Sequence, residues 1–301
     1  MSAPQQQQSG VLIMAMAMLA LPVMDLFAKL LTETMSPGSV AFARFFAQSL
    51  IMLPFLFISG QQGRPTLLHL LAGLFLGSAL VALNTALKAM PIANALVIFF
   101  VEPLFLTILS AVILKEGFGW RRMIAVFLGL IGAIVVLRPN FQAFGIASIF
   151  PLITALCFSC YLLITRFLSQ KGSRVSLNFW TGFFAASVLG LALIPGTLFE
   201  IDIFAFDLPT GHQFFYVLGM GALAGVGHWM IALAFSRTEA GVLAPLQYLE
   251  IISATILGWL VFNEFPDPMT WLGTVIIIGA GFYVFYRERK LSKPQGPIVI
   301  D

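Results

Sequence analysis

The chain has 301 residues, 59% of them hydrophobic and only 10% charged, with sixteen Lys and Arg against thirteen Asp and Glu. Average soluble domains are ~45–50% apolar and ~25% charged, so there are too few charges here to coat a water-soluble globule. A soluble enzyme, a nucleic-acid binder and a disulfide-stapled secreted domain are excluded, and thirty Phe with twelve Met exclude disorder. An integral membrane protein remains.

A helix crosses a bilayer core of ~30 Å with ~20 mainly apolar residues. Ten such runs follow one another, at about 10–32, 38–58, 67–88, 91–114, 120–137, 144–167, 176–196, 213–236, 239–262 and 268–286. Turn chemistry separates them at Ser36-Pro37-Gly38, Gly60 to Pro65, Met90-Pro91, Arg138-Pro139-Asn140 and Pro266-Asp267-Pro268. Residues 1–9, rich in Gln, and 287–301 are expected to form polar cytoplasmic tails, the first disordered. No basic residue precedes the first run, and Asp25 and Lys29 interrupt it, which predicts a retained span and not a cleaved signal. With the amino terminus inside, twelve of the sixteen bases fall on inner loops and the carboxyl tail, and only Lys88 and Arg138 fall on outer loops. This bias predicts that both termini are cytoplasmic, in a multi-pass protein of the cell inner membrane.

The chain also matches itself at an offset of 148 residues. Gly73 pairs with Gly221, Gly77 with Gly225, Glu102 with Glu250, and Glu116 with Glu264. Apolar matches are cheap in such a composition, but two intramembrane Glu in register are not. The expected fold is therefore all-α, with ten transmembrane helices in two five-helix repeats, 10–138 and 144–286. An odd number of spans inserts the second copy upside down. Inverted repeats of this kind are typical of secondary transporters, with the substrate near mid-membrane between the halves.

Several segments resemble a known family. Ala93 to Gly132 holds an apolar helix with Pro103, then Glu116, a short basic loop and a Gly-containing helix; Tyr248-Leu249-Glu250 to Gly281 repeats the arrangement. With Asp25 and Lys29 in the first span and Arg44-Phe45-Phe46 in the second, the chain resembles the EamA family of the drug/metabolite transporter superfamily over residues 10 to 290. The resemblance implies a ten-helix carrier with a central cavity, acting by alternating access on amino acids or other small metabolites. The YddG-type exporters of aromatic and neutral amino acids are the kind it suggests, although Asp25 stands where the family often has Asn or another small polar residue.

A charge at the bilayer centre costs ~2.5–3.5 kcal/mol even on a lenient scale, so the interior charges need an explanation. The expected substrate-binding residues are Asp25, Arg44, Asn84, Glu102, Tyr161, His228, Trp229, Tyr248 and Glu250. Glu102 and Glu250 would bind a substrate ammonium or take up a proton as the carrier turns over. Arg44 would hold a carboxylate in a forked contact, and the aromatics would cover apolar surface. Structural alternatives stand beside these roles. Asp25 and Lys29, at i and i+4, can pair with each other; Arg44 can bridge to Asp25 or Glu102; Glu102 can serve the backbone freed by Pro103. His228 can be a hydrogen-bonded interior group, and aromatics can face lipid. Glu116 and Glu264 read as span termini or gates.

The cavity is expected between spans one, three, four, six, eight and nine, with spans five and ten peripheral and in contact through Gly132 and Gly279. Gly73, Gly77, Gly221 and Gly225 form small-xxx-small pairs suited to close helix packing. Cys157 and Cys160 are i, i+3 neighbours on a span and read as packing. No phosphate loop, metal cluster or nucleophile grouping stands out, so no cofactor, no metal and no enzymatic activity are expected. The partners are a small-molecule substrate and the lipid bilayer, not nucleic acid, with the protein a monomer. The favoured function is secondary export of amino acids or similar metabolites. Its alternative is import of a larger amphipathic metabolite, a vitamin or nucleoside-linked cofactor; an intramembrane enzyme is the third reading.

Overall fold

The protein is described by a computed structural model over residues 3–58, 63–113, 120–169, 174–237, 246 and 249–291. Within the hydrocarbon of a membrane every backbone polar group needs an internal partner, which an α-helix supplies by itself. Accordingly, the described residues contain helices and no strands. In chain order these are α1 (Ala3–Thr32), α2 (Pro37–Ile58), α3 (Leu67–Ala89), α4 (Ile92–Phe99), α5 (Glu102–Ile113), α6 (Trp120–Phe144), α7 (Phe150–Ser169), α8 (Arg174–Leu198), α9 (Gln213–Arg237), α10 (Leu249–Phe262) and α11 (Pro268–Leu291). Six helical segments are long and apolar enough to cross a membrane. Four shorter apolar ones lie at the fourth, fifth, ninth and tenth predicted positions, the same two places in each half.

Several boundaries differ from the sequence expectation. Helix α1 begins at Ala3, inside the stretch expected to be a disordered tail, and α11 runs on to Leu291, beyond the expected end at 286. Gln, Lys and Arg are good helix formers, and a neighbouring apolar helix lets them continue the turn. The expected turn at Arg138-Pro139-Asn140 lies inside α6. There the Asn140 side chain donates to the Val136 carbonyl at 2.7 Å and accepts from Asn94 at 2.7 Å, which stitches the helix across its proline. The reversal comes later, at Gly145, whose φ of +61° suits glycine. Conversely, the fourth run is two helices. Pro103 has no N–H to give to the Phe99 carbonyl, and the chain breaks at Phe100 and Val101 between α4 and α5.

The helices pack in a pattern that pairs the two halves. Helix α1 lies on α9 and α3 on α7; α3 lies on α8 and α2 on α9; α1 lies on α10 and α5 on α7; α2 faces α8, and α6 faces α11. The glycine pairs sit at two of these contacts. A Cβ added at Gly73 would stand 2.7 Å from the backbone nitrogen of Ala185 on α8, and one at Gly221 would stand 2.8 Å from the Ala47 Cβ on α2. At Gly77 it would meet Leu189 at an ordinary 3.5 Å. Gly73→Ala is therefore expected to lower stability by ~1–3 kcal/mol through overpacking. Gly77→Ala should be neutral or slightly stabilising; thermal unfolding of the two variants in detergent measures the contrast.

Helices α6 and α11 press on each other, and their outer faces expose Phe127, Ile134, Leu272 and Val275. Gly132 is in that contact, but Gly279 has open space beside it. Its place is taken by Gly273, where an added Cβ would lie 2.8 Å from the Gly132 carbonyl. About one and two-thirds helical turns separate the two glycines, and rotation about the helix axis decides which of them faces inward.

Two connections on the side opposite the termini are closely held. The long 197–212 link returns to the start of α2: the Ser36 amide donates to the Asp207 carboxylate at 2.6 Å, and the Ser39 hydroxyl donates to the Ala205 carbonyl at 2.8 Å. Asp267 caps α11, accepting from the amides of Met269 and Thr270 at 2.9 and 3.1 Å, with Pro268 as the first helical residue. Partial burial opposes its charge, but these bonds and the Thr270 hydroxyl outweigh it and hold the carboxyl below its ordinary range. The cap is thus present above the ordinary carboxylate pKa and is lost as pH falls through the lowered one. Asp267→Ala should cost about 1 kcal/mol at neutral pH and nothing in strong acid, as a pH series of melting temperatures would register.

Candidate functional site

The interior charges are carried on α1, α2 and α10, of which α1 packs on both of the others. Asp25 on α1 is 4% exposed and Arg44 on α2 is 5% exposed. The Arg44 guanidinium feels the charge of Asp25, and Glu250, in the first turn of α10, lies nearer the amino-terminal end of α1, because Ser253 of α10 donates to the Leu19 carbonyl at 2.7 Å. None of these groups is joined in an ion pair: among the described residues only Lys29 and Glu264 form one. The expected bridge from Arg44 to Asp25 or Glu102 is therefore not made, and Arg44 Nε and Nη1 are buried without a hydrogen-bond partner. A buried guanidinium with two donors left unpartnered is costly. Such an arrangement suits a site that a charged ligand completes.

The two repeat-related glutamates occupy matching positions, each in the first turn of a helix that starts within the bundle, α5 for Glu102 and α10 for Glu250. A helix amino terminus stabilises a carboxylate through its unpaired N–H groups. The Glu102 carbonyl, at the start of α5, also accepts from the Ser159 hydroxyl of α7 at 3.0 Å, which ties the two helices together. The Glu102 carboxyl keeps one buried oxygen, Oε1, without a partner.

Lys29 does not pair with Asp25, one turn away on α1. Its ammonium donates to Glu264 at 2.5 Å and to the Met90 carbonyl at 3.0 Å, and lies 4.6 Å from the centre of the Phe262 ring. Local backbone sets this up. Asn263 takes a left-handed conformation (φ 56°) that ends α10 and turns the chain so that Glu264 reaches α1. One side chain thereby ties the end of α1 to the α3–α4 and α10–α11 junctions.

Other expected residues fare differently. Asn84 is buried, but its amide donates to the Pro37 carbonyl at 3.2 Å and ties α3 to the start of α2. Tyr161 is half-buried and packs on Phe158, with ring centres 5.4 Å apart. Trp229 is 62% exposed and continues the outward stripe of Ala222 and Val226 at i, i+4, i+7, so it faces away from the charges. Tyr248 and Glu116 lie outside the described residues, as does the side chain of His228.

Sequence reasoning passed over Gln48, which is 3% exposed, one turn from Arg44 on the same face of α2. Its amide donates to Asn178 on α8 at 2.9 Å, and its Oε1 is buried without a partner. The i, i+4 spacing from Arg44 was the available signal.

Charged and polar groups buried within a bundle of apolar helices suit an integral membrane carrier. The profile of the EamA-like transporter family matches residues 8–138 and again 145–286, and the chain belongs to that family. Among its relatives is a protein of Rickettsia felis named S-adenosylmethionine uptake transporter, 30% identical over 88% of each chain. The one of that name in Rickettsia prowazekii is 28% identical over 94% of each chain. A riboflavin transporter of Rhizobium johnstonii is 27% identical over 97% of this chain and 96% of its own. A solved crystal structure, 20% identical, superposes with a TM-score of 0.64 over 95% of this chain and 99% of that chain, a likeness of fold alone. These relatives are named for S-adenosylmethionine uptake and for riboflavin transport, and none of the three for amino-acid export.

Proposed function

We propose that the protein is a secondary carrier that imports an amphipathic, nucleoside-linked metabolite across the cell inner membrane. The observation that carries this reading is the match, over nearly the whole of both chains, to proteins named for S-adenosylmethionine uptake. The two halves are read as inverted repeats that rock about the central charges. Supporting this, the packing pattern is preserved when the halves are exchanged: α1 with α9 becomes α7 with α3, and α3 with α8 becomes α9 with α2. The bias of bases supports cytoplasmic termini. In that orientation Lys29 and Glu264 lie at the outer end, and in this reading substrate entry requires their pair to open. Asp25, Arg44, Glu102, Tyr161 and Glu250 line the substrate path in this reading. A second reading, import of a flavin-like vitamin, has the riboflavin transporter in its favour.

Uptake of labelled S-adenosylmethionine, riboflavin and tryptophan into reconstituted vesicles, with and without a pH gradient, tests the proposal. Saturable entry of the nucleoside-linked compound supports it. Amino-acid movement alone would overturn it and restore the export reading.

A further inference from the structure

Lys29 fills a site shaped for a primary ammonium group. Its Nζ donates to the Glu264 carboxylate at 2.5 Å and to the Met90 carbonyl at 3.0 Å, and stands 4.6 Å from the centre of the Phe262 ring. A counter-charge, a carbonyl acceptor and the negative face of an aromatic ring are the three partners that recognise an organic ammonium. All three come from the α3–α4 junction and the end of α10, and only the cation belongs to α1. The partners are also held by their own backbone. The Met90 amide closes α3 on the Ala86 carbonyl at 2.9 Å, and the Glu264 amide closes α10 on the Gly258 carbonyl at 3.2 Å.

We propose that Glu264, Phe262 and the Met90 carbonyl form an entry site for a primary ammonium group of the transported molecule, with Lys29 as an internal stand-in that the arriving group displaces. This rests on the import reading and specifies which part of the metabolite meets the carrier first.

Access and charge both favour the exchange. The Lys29 side chain is 10% exposed and that of Glu264 is 29% exposed, so an incoming ammonium reaches the carboxylate edge before the lysine leaves it. The long lysine stem then lets the displaced ammonium rise into water. One ion pair replaces another, and no buried charge is left alone. In the proposed orientation the outer connections carry Glu33, Glu200, Asp202, Asp207, Glu264 and Asp267 against Lys88 and Arg138. A field of that sign draws cations to this end of the molecule. Once the ammonium belongs to a free molecule, the tie from α1 to the two junctions is gone and the end is released. A flavin, uncharged at neutral pH, cannot make the exchange.

The test is titration of n-propylammonium, the part of the side chain that Lys29→Ala removes, into the purified full chain. It should bind Lys29→Ala saturably and raise the melting temperature of that variant. Binding should be roughly tenfold or more tighter than to the unaltered protein, whose site Lys29 occupies. Propan-1-ol, of the same shape without the charge, should not bind, and the amine should not bind Lys29→Ala combined with Glu264→Gln. If Lys29→Ala does not fold, Lys29→Leu takes its place, with methylammonium and methanol as the pair. A lysine that only pins the helices predicts no affinity of its partners for a free amine. Equal binding to the variant and the unaltered protein, or equal effects of amine and alcohol, overturns the proposal.

A second measurement links the site to the metabolite. Adding Glu264→Gln to Lys29→Met should slow association of labelled S-adenosylmethionine about tenfold and leave that of 5′-methylthioadenosine, which lacks the ammonium, unchanged. Equal rates for S-adenosylmethionine in the two backgrounds would remove the entry role. If neither nucleoside binds, the import reading falls and the amine titration still decides the site. Vesicle uptake of S-adenosylmethionine without amine binding removes the site and leaves an importer.

Discussion

Lys29→Met is expected to shift the carrier toward its outward-open state by roughly tenfold or more. The substitution keeps the length and apolar stem of the side chain but removes its bonds to Glu264 and the Met90 carbonyl and its contact with the Phe262 ring. A hydrogen bond to a charged group contributes ~1.5–3 kcal/mol. Glu264 is 29% exposed on its side chain and regains some water when abandoned, which favours the lower end of that range. Leu26, which is 8% exposed on α1, supplies the reporter. A Leu26→Cys substitution, with Cys157 and Cys160 replaced by Ala, can be labelled from outside by a membrane-impermeant thiol reagent. Labelling should accelerate about tenfold with Lys29→Met. The double variant with Glu264→Gln should match Lys29→Met alone, because both remove one interaction. Equal labelling rates with and without Lys29 would mean that the pair does not hold this end closed.

The second large effect concerns Glu250. Glu250→Gln is expected to fold, to bind substrate roughly tenfold more weakly, and to make uptake insensitive to an imposed pH gradient. The amide matches the carboxyl in shape but cannot take up and release a proton as the carrier cycles. Glu250→Ala should lose binding further, since it removes the hydrogen-bonding group as well. Wild-type rates and an unchanged pH profile for Glu250→Gln would make the residue structural and leave facilitated diffusion as the mechanism.

What the sequence determined by itself is the set of properties written locally along the chain. Apolar runs of membrane-spanning length predict a helical membrane protein, because unpaired backbone in hydrocarbon is too costly for anything else. The distribution of bases predicts its orientation, and the register of Glu102 with Glu250 marks two copies of one unit, in line with a family profile that matches twice. The tertiary structure decided which side chains meet. Lys29 lies one turn from Asp25, yet it bonds to Glu264, 235 residues away, because a left-handed Asn263 turns that carboxylate toward α1. Pro139 passed for a turn until Asn94 and Asn140 stitched α6 across it, whereas Pro103, with no such support, breaks its span. Trp229 points away from the charges and Gln48 toward α8 through the rotation of α9 and α2 about their axes. Hydropathy averages over that rotation. Only the packing of neighbouring helices fixes it, and with it the position of Arg44 beside a carboxylate it does not bind.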